Sequence, residues 1–143
     1  MKAHRDIVES ALERLGIDSS EIANDMADSH SVEVDRIISP FPDALETIAQ
    51  AKNREIRLAL LTNGGAEVQW PKRDKFTLAD YFDCIVVEGE VGVRKPDQRL
   101  FRHPLYPLQF APSDAWIIAD ALDNAVAPSQ PVGVTVTRVD LAG

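Results

Sequence analysis

Apolar residues recur at helical spacing at the start of the chain, at Ile7, Val8, Ala11, Leu12 and Leu15, and Gly16 ends the run. Asp18-Ser19-Ser20 supplies an N-cap for a second helix, whose apolar face carries Ile22, Ala23, Met26 and Ala27. The same periodicity continues or restarts through Val32, Val34, Ile37 and Ile38. Ser39-Pro40-Phe41-Pro42 then breaks it, because each proline biases the residue before it away from helix. The break predicts a helical piece over 1–39 hinged to a second domain over 40–143.

Beyond the hinge the pattern alternates. Helical segments are predicted over 43–52, 66–76, 97–110 and 121–130, and strands over 56–61, 84–87, 115–119 and 132–139. Strands alternating with helices imply a parallel α/β sheet. The near-continuous apolar runs Leu58–Leu61 and Ile85–Val87 fit strands covered on both faces. Pro71, Pro104, Pro107 and Pro128 fall inside predicted helices, and Pro131 directly follows the last of them. An interior proline costs about 3 kcal/mol, so these helices should be shortened, kinked or partly irregular.

Composition narrows the class. With 143 residues, 45% hydrophobic and 27% charged, the chain suits one ordinary globular domain, or a small domain with an appendage. A net charge of -8 argues against a nucleic-acid partner, which needs clustered Lys and Arg. No apolar run approaches membrane-spanning length, and the charged N-terminus does not read as a signal region, so the expectation is a soluble cytoplasmic protein. Cys84 is the only cysteine; lying in a strand-like run, it reads as a buried, inert thiol in a reducing compartment.

Three strand ends carry polar groups suited to anion chemistry. Thr62-Asn63-Gly64 offers a hydroxyl and backbone N–H groups where a strand meets a helix, an arrangement that cradles oxyanions, although an ordinary turn has the same composition. Lys95, in Gly92-Val93-Arg94-Lys95-Pro96-Asp97, would present a compact positive charge to a phosphate and a neighbouring carboxylate, or else simply be solvated. Asp120, ending Trp116-Ile117-Ile118-Ala119, is placed to hold a hard cation such as Mg²⁺, or to cap the following helix.

In their order, these three segments resemble the second, third and fourth motifs of the haloacid dehalogenase-like hydrolases. Pro40-Phe41-Pro42-Asp43-Ala44-Leu45-Glu46-Thr47 resembles the family's return from cap to core, and Asp80-Tyr81-Phe82-Asp83 also looks familial. The resemblance implies a Rossmann-like parallel sheet of that type with a partial helical cap, and phosphatase-type chemistry on small phosphorylated metabolites. It assigns Thr62, Asn63, Gly64 and Lys95 to phosphate binding and Asp120 to the metal.

The family's nucleophile is an aspartate in an Asp-x-Asp-x-Thr segment on the first core strand, and these 143 residues hold no such segment. Val139-Asp140-Leu141-Ala142-Gly143 is only faintly similar, with Ala142 where the second aspartate would stand. The metal motif is eroded as well: Ala119 replaces a glycine and Ala125 occupies the expected second acid position, leaving Asp123 or Asn124 as substitutes. The expectation is an impaired hydrolase, with no catalytic residue to assign and Mg²⁺ binding weak or absent. The alternative is a non-catalytic binding or oligomerisation protein.

The resemblance places the nucleophile strand centrally, between the strands ending in Thr62 and Asp120. Without it those two strands pair directly, or another chain supplies the pairing, or the fold is unstable. A homodimer, swapped through its N-terminal helices, is the expected partner arrangement.

Overall fold

A computed structural model describes residues 2–17 and 20–140. The chain forms two compact units, Met1–Pro42 and Asp43–Gly143. The predicted cap at Asp18 and Ser19 and the last residues of the Asp140–Gly143 segment lie outside the described residues.

In the first unit α1 (Lys2–Arg14) packs against α2 (Ser20–Ile37). Helix α1 stops where Gly16 turns left-handed at φ 73°, and Ile17 N–H closes the end on the Leu12 carbonyl at 3.0 Å. Helix α2 is continuous through Val32 and Val34, with no restart. Its buried positions are the small residues Ala23 and Ala27, whereas Ile7, Ile22 and Met26 are exposed.

The second unit opens with α3 (Ala44–Asn53) and β1 (Ala59–Thr62). Strand β1 starts three residues later than the apolar pattern predicts. Glu55 turns left-handed at φ 61°, and the Leu58 N–H is taken by the Asp83 carboxylate at 2.8 Å, so residues 56–58 serve as an approach to the strand. Helix α4 (Ala66–Lys75) follows and runs through Pro71 nearly at its predicted length. Trp70, just before the proline, donates to Glu90 at 2.8 Å and carries Arg73 over its ring at 4.4 Å, contacts that hold the turn in place.

After β2 (Cys84–Val87) comes the short α5 (Glu88–Val91), which the periodicity does not predict. The other prolines do interrupt. The helix predicted over 97–110 is split at Pro104 into α6 (Gln98–Arg102) and α7 (Leu105–Leu108). Beyond β3 (Trp116–Ala119), the predicted helix over 121–130 becomes a π-turn at Leu122–Val126, one helical turn α8 (Ala127–Ser129) and a 3₁₀ turn at Gln130–Val132. Gly133 at φ 92° then redirects the chain, and β4 (Thr135–Arg138) is half the predicted length.

The strands form two parallel pairs, β1 with β2 (Leu60 opposite Ile85) and β3 with β4 (Ile117 opposite Val136). Both pairs sit on one core. Phe101, Ala125, Val132 and Val134 are buried, and Leu61 from β1, Ile117 and Ala119 from β3 and Val136 from β4 pack against them. Among the described residues no ladder joins β1 to β3, so direct pairing of the two flanking strands is not how this sheet is built. Exposure follows from that gap. Val86 and Val87 of β2 are buried, but β1 is only half-buried along its length, against the expectation of cover on both faces. Trp116 and Ile118 of β3 are 70% and 69% exposed.

Candidate functional site

The loop after β1 and the loop before α6 are locked together by Asn63 and Lys95. The Asn63 Oδ1 accepts from the Lys95 N–H at 3.0 Å, and its Nδ2 donates to the Lys95 carbonyl at 3.3 Å. An amide side chain has one acceptor and one donor group, so a single asparagine satisfies both backbone groups of the lysine. The Lys95 side chain, half-buried, then turns back to β1, where Nζ lies 3.5 Å from the Leu61 carbonyl. The peptide bond to Pro96 is cis, and Asp97 caps α6 by accepting from the Arg99 N–H at 2.9 Å.

Gly64 completes the loop. At φ 119° it occupies backbone space that L side chains rarely adopt, and an added Cβ would stand 2.8 Å from Gln69 Nε2. Gln69 in turn donates to the Asn63 carbonyl at 3.0 Å. The Thr62 hydroxyl, beside them, makes a long local bond of 3.3 Å to the Asn63 carbonyl and can rotate toward another acceptor.

A carboxylate already occupies the cradle. Glu88 Oε2 accepts from the Gly64 N–H at 2.9 Å, and Glu88 Oε1 lies 3.8 Å from Arg94. The neighbouring Gly89 N–H donates to the Gly64 carbonyl at 3.1 Å. Residue 89 must be small for this approach, because a Cβ there would meet Gly65 Cα at 3.0 Å and the Gly64 carbonyl oxygen at 3.2 Å. Glu88 and Gly89 are the neighbours of this loop that the sequence did not single out. Their signal was a Glu-Gly-Glu step directly after an apolar strand, which reads as a plain solvated turn.

Asp120 ends β3 and is exposed, with Ala121 rather than Asp120 at the cap position of the turn that follows. Asp123 is exposed on that π-turn. Thr62, Asn63, Gly64 and Lys95 are therefore brought together, and no hydrogen bond or ion pair among the described residues ties Asp120 or Asp123 to them. Nor do the described residues gather three His, Cys, Asp or Glu side chains in one place. A Mg²⁺ ion takes an octahedral shell of oxygens in which one or two carboxylates are joined by waters and substrate phosphate, and Asp120 is the carboxylate that the end of β3 offers.

The base of β1 is braced at its other end. Asp83 accepts from the Leu58 N–H and pairs with Arg57 Nε, each at 2.8 Å. The backbone hydrogen bond and the Arg57 charge outweigh partial burial and hold its carboxyl below the usual aspartate range. Burial pushes the Cys84 thiol up, with a smaller contribution from the Asp83 charge, so the thiol is the stable form.

Residues 9–139 match the family of haloacid dehalogenase-like hydrolases. The chain is 38% identical over 100 residues to a phosphoserine phosphatase of Thermus thermophilus, an alignment covering 70% of this chain and 40% of that protein. It is 30% identical over 103 residues to a ribulose-1,5-bisphosphate 5-phosphatase of Halopiger xanaduensis, covering 72% of this chain and 43% of that one. The chain thus spans less than half the length of these relatives. Its fold superimposes on the HAD-hydrolase YfnB of Bacillus subtilis, solved bound to magnesium, with a TM-score of 0.78 at 18% identity, over 96% of this chain and 60% of that one.

Proposed function

Because the chain belongs to the haloacid dehalogenase-like hydrolases, we propose that its Thr62–Gly64 loop and Lys95 form the anion-holding half of a phosphatase-type site, impaired for hydrolysis in these 143 residues by themselves. The clamp of Asn63 on Lys95 carries this reading. It fixes the backbone from which Lys95 reaches toward a loop that carries a hydroxyl and a glycine N–H, the latter now held by Glu88. Preorganised donors of this kind are what a transferring phosphoryl group requires.

The names of the relatives point to small phosphomonoesters as the substrate class. Impairment follows from chemistry. Covalent transfer needs a nucleophile, and Thr62, Lys95 and Asp120 supply position and charge while the sequence has no Asp-x-Asp-x-Thr segment. Mg²⁺ held by Asp120 alone would be weakly bound. Cytoplasmic placement belongs to the same reading and is supported by the single cysteine, which leaves no disulfide to form within these 143 residues.

An aryl phosphate with Mg²⁺ tests both halves. The expected result is saturable binding of the ester that inorganic phosphate displaces, without turnover. Turnover lost in Lys95→Ala and Asp120→Ala would remove the impairment while keeping the phosphatase assignment. No binding would remove both.

A second reading, a non-catalytic homodimer acting through exposed sheet edges, is supported by the inner edges of β1 and β3, which pair with no strand among the described residues. Sedimentation at micromolar concentration tests it, and a monomer at all concentrations would contradict it. No described helix is long and apolar enough to cross a membrane.

A further inference from the structure

Helices α6 and α7 bury one side and leave the other bare. Leu100, Phe101 and Pro104 are buried. Arg99, Arg102, His103 and Tyr106 follow the helical spacing i, i+3, i+4 and i+7, and all four are exposed. The same four side chains, with Pro107, line one groove of about 510 Å³. That volume lies in the range of small-ligand sites, about 300–1,000 Å³. None of Thr62, Asn63, Gly64 and Lys95 lines it.

The groove's charge is opposite to that of the chain. The protein carries -8 overall, whereas two arginines and a histidine line the groove and no acid does. Arg99 is held by its neighbour: Nε and Nη2 donate to Asp97 Oδ2 at 3.0 and 2.6 Å, which fixes the guanidinium as a flat wall. Arg102 and His103 make no ion pair or side-chain hydrogen bond among the described residues. The carbonyls at this helix end, which would repel an anion, are taken. Arg99 and Leu100 accept from the His103 N–H at 3.1 and 3.3 Å, and Tyr106 accepts from the Gln109 N–H at 3.1 Å. Tyr106 itself is 90% exposed, more than any other large apolar side chain among the described residues. One exposed ring is ordinary. A ring beside an uncommitted guanidinium and an imidazole in one concavity selects a ligand that is both flat and anionic.

We propose that this groove binds a single nucleotide, its phosphate on Arg102 and His103 and its base stacked on the Tyr106 ring. A guanidinium fork matches phosphate oxygens in geometry as well as charge. An aromatic ring is a stacking platform for any base, since every base has a π-face. Pro107 adds an apolar wall beside the ring. A nucleic-acid strand fits less well, because each further phosphate would lie against a chain of net charge -8. One phosphate in the groove answers chiefly to charges within a Debye length, about 8–10 Å.

The test is a titration of the ¹⁵N-labelled protein with AMP, read at the Arg102, His103 and Tyr106 amides. Saturable shifts at all three are expected. Adenosine, which lacks the phosphate, and inorganic phosphate, which lacks the base, should each bind about tenfold more weakly or worse. Tyr106→Ala should weaken AMP about tenfold, and Tyr106→Phe should restore it, because stacking uses the ring and not the hydroxyl. Arg102→Gln should bring AMP down to the affinity of adenosine. Both Arg102 and Tyr106 are exposed, so the amide spectrum outside the groove should match the parent in each variant.

No saturable shift at these amides, or equal affinity for AMP and adenosine, overturns the site. Equal affinity for AMP and inorganic phosphate, or unchanged binding in Tyr106→Ala, reduces the groove to a general anion patch and overturns the nucleotide. AMP is itself a phosphomonoester, so Lys95→Ala separates this groove from the Thr62–Gly64 loop. Shifts at Gly64 should be lost in that variant and shifts at Tyr106 kept. Loss of both places AMP at Lys95 alone and overturns the groove. Shifts at Tyr106 with none at Gly64 in the parent would remove the phosphatase reading and leave the nucleotide site standing.

Discussion

The Asn63 side chain and the Lys95 backbone exchange two hydrogen bonds, at 3.0 and 3.3 Å, across 32 residues of sequence. One amide thereby sets where the lysine side chain begins, and its ammonium lies 3.5 Å from the Leu61 carbonyl. Asn63→Ala leaves both Lys95 backbone groups without that partner. It should destabilise the protein by about 1–3 kcal/mol and weaken phosphate binding roughly tenfold. Chemical denaturation and a phosphate titration check the two effects separately. A loss of stability with unchanged affinity would separate the clamp from the site.

Glu88 occupies the Gly64 N–H that an incoming anion would use. Charge-assisted bonds to a backbone donor are strong, and a resident carboxylate also repels phosphate. Glu88→Gln should therefore tighten phosphate binding several-fold, with a downfield-shifted Gly64 amide in the bound state. Glu90→Gln, which only loosens Trp70, should leave phosphate affinity unchanged.

The close approach at Gly89 gives a steric prediction. Gly89→Ala places a methyl group at 3.0 Å from Gly65 Cα, a backbone atom that cannot rotate away. Overpacking of this kind costs about 1–3 kcal/mol. Thermal unfolding should show the loss, and phosphate binding should fall with it because the Gly64 loop is displaced.

Asp83 makes stability depend on acid. Its carboxyl is lowered below the usual 3.8 by the Leu58 N–H and Arg57. A lowered folded value stabilises above the unfolded one, and that contribution is lost as pH falls through the folded value. Asp83→Asn should cost about 1 kcal/mol at neutral pH, given a partly exposed ion pair. The variant and the parent should converge as pH falls through that lowered folded value, as denaturant midpoints across pH will show.

How far the sequence alone reached depended on what each signal measured. Strand β2 was legible to the residue because Cys84–Val87 is an apolar run whose second half, Val86 and Val87, is buried. Pro104 and Pro128 correctly marked broken helices, since a missing N–H is a local fact, whereas Pro107 lies within α7 and Pro131 within the 3₁₀ turn Gln130–Val132. Pro71 did not break α4, because contacts of Trp70 with Glu90 and Arg73, distant or side-chain-mediated, hold that turn. The start of β1 was misjudged for a similar reason: Leu58 gives its N–H to Asp83, 25 residues away. At the site, the grouping of Thr62, Asn63, Gly64 and Lys95 was legible from motif order. Glu88 and Gly89 were not, since their roles exist only where α5 meets the β1 loop.

The central claim is that Thr62–Gly64 and Lys95 hold a phosphate. Its most direct test is a titration of the ¹⁵N-labelled protein with inorganic phosphate, read at the Asn63, Gly64 and Lys95 amides. Saturable shifts confined to this loop pair and lost in Lys95→Ala are the expected result. Absent shifts, or shifts that survive Lys95→Ala unchanged, would contradict it.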